Sequence, residues 1–160
     1  HNLTVGCPGF CREDVPRLKS ILRDLRLEKV LSILDDELAS DAKMFGKDTW
    51  SEALTRTDLY MLSLARALVM NPEVLVIANV FAGLSQSRAK DVAAALVAQV
   101  ANRGLHLPAE DASHRHPRTV FYSTEDRHPH SCMDVVWVMT QSGELNSRGD
   151  PIWTVREDFS

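Results

Sequence analysis

"LTRTDLYMLSLARALVMNPEVLVIANVFAGLS", residues 54–85, decides how this chain is read. A helical pattern runs from about Thr55 to Met70 and stops at Pro72, whose ring removes a backbone donor and clashes with a continuing helix. Four branched apolar residues, Val74 to Ile77, then lead into Ala78 and Asn79, so a buried strand is predicted over 74–79. A strand of this kind that ended in two carboxylates would suit a metal beside a phosphate. Ala78 and Asn79 supply neither carboxylate. On its own the stretch is either a catalytic strand without its chemistry or an ordinary core strand.

The flanks extend the pattern. A helix is predicted from about Gln86 to Asn102, with Ala89, Val92, Ala93, Leu96 and Val100 facing inward and Gly104 closing it. Upstream, Val15, Leu18, Leu22 and Leu25 form one helical stripe, with Asp14 as cap and Pro16 in the first turn. Val30, Leu31 and Leu34 mark a second short helix, ended by the acidic "DDELASD". Downstream, "RTVFYST" and "DVVWVMT" read as buried strands, and "QSGEL" as a turn into a short final strand. "PIWTVREDFS" has Pro151 near the start of a helix. Helices alternating with apolar strands that lack strict two-residue alternation predict an α/β fold. Its parallel sheet is covered by helices on both faces.

Composition sets the outer limits. The chain has 160 residues, 44% hydrophobic and 25% charged, with a formal net charge of −4. That length is enough to bury a core in one domain or a domain with a small subdomain. The acidic balance and the lack of a Lys/Arg-rich run argue against a nucleic-acid partner. No apolar run reaches the roughly 18 residues of a membrane span, and the chain does not open as a signal peptide. Three cysteines (Cys7, Cys11, Cys132) are too few for a disulfide framework and fit a reducing, intracellular compartment. Cys7 and Cys11 do not match the usual zinc spacings and read as free thiols.

The order of these segments resembles the second half of an ATP-binding cassette (ABC) ATPase domain. "LARALVMNPEVLVI" is similar to that family's helix, link and hydrophobic strand. "RTVFYSTEDR" is similar to its switch-histidine strand, and "DVVWVMTQSGEL" to its final hairpin. "HNLTVG" is similar to the start of its helical subdomain. The resemblance implies a partial P-loop NTPase-type parallel sheet flanked by helices (54–160, with an insertion at about 105–117) and a small helical subdomain (1–53). No G-x-x-x-x-G-K-[ST] loop is present, and Gly46-Lys47 lacks the upstream glycine. Together with the opening on His1, this predicts a piece of a longer protein, with ATP and Mg²⁺ relevant only if a P-loop lies upstream.

The resemblance also implies where chemistry would sit, and each such position departs from the family. Ala78 replaces the Mg²⁺-holding Asp. Asn79 replaces the Glu that orients or deprotonates water, and an amide accepts no proton at neutral pH. Ser85 replaces the loop Asp but is suited to capping the next helix. Glu125 replaces the switch histidine. In the signature loop, Thr55, Arg56, Thr57 and Asp58 stand where two glycines would let backbone N–H groups approach a nucleotide. Asp58 instead stabilises the positive helix end and competes with phosphate, which predicts a self-capped helix, while Arg56 retains some attraction for anions.

Other groups are weaker. Five of six histidines lie between 106 and 130, near Cys132, and read as a solvated loop rather than a zinc site. Ser123, Thr124, Glu125 and Asp126 have no glycine elbow and no placed histidine, so a hydrolytic group is not expected. No catalytic residue, metal site or bound cofactor is expected.

Two functions follow from the resemblance. The first is a catalytically degenerate ABC-type domain, structural or regulatory, in a larger assembly with other protein subunits, a second cassette domain or a membrane subunit. The second is the nucleotide-binding half of an asymmetric transporter ATPase whose competent groups come from a partner. A plain α/β interaction module is the third reading, favoured if the 54–70 helix packs away from the 74–79 strand.

Overall fold

The computed structural model describes residues 14–39, 54–124, 133–139 and 145–148. The chain divides into two compact units, residues 1–126 and 127–160.

In the first unit, helix α1 (Val15–Asp24) buries Leu18, Ile21 and Leu22 on one stripe, with Pro16 in its first turn. Asp14 stands at the N-cap position, but its side chain makes no cap hydrogen bond, because its backbone is already αR rather than extended. The helix ends where Arg26 turns left-handed (φ 52°). The Leu27 amide then donates to the Leu22 carbonyl at 2.9 Å, and Leu27 is buried beneath the turn. Helix α2 (Glu28–Ala39) follows directly. It runs on through Asp35, Asp36 and Glu37, where the acidic run predicted a break. Asp35 pairs with Lys19 of α1, and an exposed acidic face is compatible with a helix whose Val30 and Leu34 are buried.

Helix α3 (Arg56–Met70) stops at Asn71, which adopts the left-handed conformation (φ 52°) ahead of Pro72. Its terminal carbonyls meet the Arg17 guanidinium of α1. Arg17 donates to the carbonyls of Leu68 (3.0 Å), Val69 (2.9 Å) and Leu105 (2.9 Å). A cation at the negative end of a helix satisfies carbonyls that have no intrahelical partner, and it ties the N-terminal helices to the rest of the unit.

Strand β1 spans Val74–Ile77, two residues shorter than predicted, because Asn79 takes φ 50° and the chain turns. Helix α4 (Gln86–Ala101) follows. It closes with Arg103, not Gly104, in the left-handed position, while the Gly104 amide donates to the Gln99 carbonyl at 2.9 Å. Gly104 is needed for another reason. Its φ is 138°, and a Cβ there would collide with Leu107 and lie 2.8 Å from the Asn71 amide nitrogen. The predicted loop at 105–117 contains a short 3-10 helix, Ala109–His114, held by Arg103, which donates to the carbonyls of Ala112, Ser113 and Arg115.

Strand β2 (Thr119–Tyr122) pairs in parallel with β1, Val74 opposite Thr119 and Ile77 opposite Tyr122. The β1–α4–β2 order is therefore a mixed α/β arrangement with a parallel strand pair. Leu75 is buried, and Ile77, Val120 and Tyr122 pack against the same core as Met61, Leu68, Phe81, Val92 and Leu96. The opposite face differs from the expectation of cover on both sides: Val74 is 58% and Val76 74% exposed, and Phe121 40%. Strands β3 (Val136–Met139) and β4 (Leu145–Arg148), in the second unit, form an antiparallel pair with Met139 opposite Leu145.

Candidate functional site

The C-terminal end of β1 is the place to look for chemistry, since ligands of open parallel sheets gather beyond the carboxyl ends of the strands. Here that end is bound into the protein itself. The Ser123 amide donates to the Ile77 carbonyl at 3.0 Å, and the Val80 amide to the Ser123 carbonyl at 3.2 Å. The Asn79 amide donates to Ser123 Oγ at 2.8 Å. From α3, the Tyr60 hydroxyl donates to the Ala78 carbonyl at 2.7 Å, with the Asn79 carbonyl at 3.4 Å. Burial pushes the Tyr60 phenol above its ordinary pKa. Asn79 also has a conformational reason to be where it is: its φ of 50° favours asparagine over most side chains, glutamate included.

The start of α3 is equally self-contained. Thr55 is extended and its Oγ1 accepts from the Asp58 amide at 3.1 Å. The Asp58 carboxylate in turn accepts from the Thr55 amide at 3.2 Å and the Thr55 hydroxyl at 2.7 Å. This closes a reciprocal capping box, in which two orphan donors are satisfied at once. Asp58 also pairs with Arg88 at 3.4 Å. Desolvation raises the Asp58 carboxyl, but the Thr55 hydrogen bonds and the Arg88 charge outweigh it, and the pKa falls below the usual aspartate value.

Arg88 links two of the sequence-selected positions. Its guanidinium reaches Asp58, while its amide donates to the Ser85 hydroxyl at 3.3 Å, so that Ser85 caps α4. Thr55, Asp58 and Ser85 are therefore joined through Arg88, from the start of α3 to the start of α4, while Ala78 and Asn79 belong to a second set with Tyr60 and Ser123. Arg56 is exposed and Thr57 partly buried. Glu125 and Asp126 lie outside the described residues, as do His128, His130 and Cys132.

Sequence motifs do not mark Tyr60, Arg88 or Ser123 for these roles. Ser123 was noted beside Glu125, but its hydroxyl serves the Asn79 amide. No sequence pattern marks Tyr60 or Arg88, since their partners are 18 and 30 positions away. Of the histidines, His106 Nε2 lies 2.7 Å from Asp24 and His116 Nδ1 3.3 Å from Glu73. Among the described residues, no three His, Cys, Asp or Glu side chains gather as a metal site. No helix among them is long and apolar enough to cross a membrane.

A scan against protein-family models and a search of curated proteins return no match for this chain.

Proposed function

We propose that this chain is a catalytically degenerate ABC-type domain that acts as a structural or regulatory subunit of a larger assembly, built on part of a P-loop NTPase-type sheet. The observation that carries the reading is the end of β1. A metal-binding carboxylate is replaced there by Ala78, and the neighbouring backbone groups are committed to Tyr60 and Ser123. A strand end with no carboxylate cannot hold Mg²⁺ beside a phosphate as that family requires. The capping box at Thr55 and Asp58 adds to this, because two amides at this helix start, those of Thr55 and Asp58, are already taken by side chains of the same turn. The third reading loses support, because α3 shares a core with β1 and reaches its end through Tyr60. The exposed outer face of Val74, Val76 and Phe121 is the support for an assembly role, since parallel sheets ordinarily have both faces covered.

The test is binding of a fluorescent ATP analogue to the purified chain, with and without Mg²⁺, beside sedimentation of the same sample. Absence of Mg²⁺-dependent binding together with self-association or capture in a complex is the expected outcome. Saturable Mg²⁺-dependent binding by a monodisperse, cooperatively melting monomer overturns the proposal.

One observation favours the asymmetric-ATPase alternative. Arg56 is exposed at the positive end of α3, where it can attract a phosphate presented by a partner. In that case Arg56→Glu weakens nucleotide-dependent pairing with the partner, while the degenerate-subunit reading expects no change.

A further inference from the structure

A cavity of about 390 Å³ lies far in sequence from the β1 end, between the end of α1, the second half of α4 and the 105–115 segment. Its walls are mostly small and apolar, including Ala98, Ala101, Leu105, Leu107 and Ala112. Four polar side chains, Asp24, Asn102, His106 and Arg115, also line it. Asp24 and His106 face each other at 2.7 Å and satisfy one another. Arg115 is different. Its terminal nitrogens donate to the carbonyls of Pro108 (2.9 Å) and Asn102 (3.0 Å), and its Nε is buried without a hydrogen-bond partner.

The guanidinium is thus a partly buried cation held by neutral carbonyls. Among the described residues it has no carboxylate partner, and Glu110 and Asp111 on the adjacent turn are exposed. A buried charge is costly unless a counter-charge or further hydrogen bonds compensate it. A second guanidinium, Arg103, binds the Arg115 carbonyl at 2.7 Å and adds positive potential to the same segment. The volume falls within the range of small-molecule sites, which pair an apolar lining with a few fixed polar groups.

We propose that this cavity binds a small aliphatic carboxylate, with its chain against the alanine and leucine walls and its carboxylate toward Arg115. The Asp24 carboxylate also lines the cavity, hydrogen-bonded to His106 Nε2 at 2.7 Å, so the ligand's carboxylate is assigned to the Arg115 end. The ligand class follows from the two halves of the site: a charge for the guanidinium and an unbranched apolar body for the alanine floor.

Hexanoate titrated into the full chain, followed by methyl and amide NMR, tests this. The expected result is saturable shifts at Ala98, Leu107 and Ala112, with hexanol producing none at the same concentrations. Arg115→Gln is expected to weaken hexanoate about tenfold or more, the usual scale for losing a charge-assisted hydrogen bond. Because Arg115 also holds two carbonyls, Ala98→Leu serves as the second variant: it fills the cavity, leaves the guanidinium intact, and is expected to abolish the shifts. Binding of hexanol equal to hexanoate, binding unaffected by Ala98→Leu, or no saturable shift into the millimolar range overturns the proposal.

Discussion

The two faces of the β1–β2 pair come from the same eight residues and meet opposite surroundings. On the inner face Leu75 is buried and Ile77, Val120 and Tyr122 join the core, where Phe81 meets Tyr122 edge-on at 5.4 Å between ring centroids. On the outer face Val74, Val76 and Phe121 are exposed. Neighbouring residues of one strand point to opposite sides, so a continuously apolar run places apolar side chains on both. The inner area contributes to folding. The outer area contributes only when something covers it, and this separates what stabilises the unit from what equips it for a partner.

Four changes sharpen or break that contrast. The largest effect is expected for Phe81→Ala, which removes a fully buried ring and its contact with Tyr122. A loss of about 3–5 kcal/mol is expected in chemical denaturation. Gln99→Ala comes next. Gln99 is 1% exposed, accepts from the Leu105 amide at 2.8 Å and donates to Asn71 Oδ1 at 2.7 Å. Its removal strands a buried amide and is expected to cost about 2 kcal/mol.

Thr55→Ala is smaller, about 1 kcal/mol, the usual value for a lost N-cap. It carries a pH signature as well. Asp58 has a depressed pKa in the folded state, so its contribution is complete above the unfolded value of about 3.9 and is lost as pH falls through the folded one. The wild-type chain should lose stability in that acid window, and Thr55→Ala should lose less, read from denaturation midpoints between neutral pH and pH 3. The smallest effect is expected for Val76→Thr, within about 0.5 kcal/mol in the isolated chain, with reduced self-association in sedimentation. If Val76→Thr proves as destabilising as Phe81→Ala, the outer face is covered in solution and the contrast fails.

Much of this was legible beforehand for local reasons. The helix over 56–70, the strand after it and the helix from Gln86 follow from apolar spacing and from Pro72. The Ser85 cap and a self-capped start of α3 at Asp58 were legible because a cap is a contact over three residues, whereas the Thr55 half of the capping box was added by the structure. The acidic run at 35–37 misled, because like charges on an exposed helix face are tolerated when the opposite face is buried. Strand β1 ended early because the φ of Asn79 is set by its tie to Ser123, 44 positions away.

The sequence alone therefore determined the order of the described elements, the Ser85 cap, the self-capped start of α3 and the lack of carboxylates after the apolar strand, since each depends on residue type and short-range spacing. Only the tertiary structure decided that Arg17 closes the end of α3, that Tyr60 and Ser123 occupy the end of β1, and that Arg88 joins Asp58 to Ser85. It also decided which face of the valine-rich strand is buried. All of these depend on hydrogen bonds and packing between positions distant in the chain, which residue type and short-range spacing do not specify.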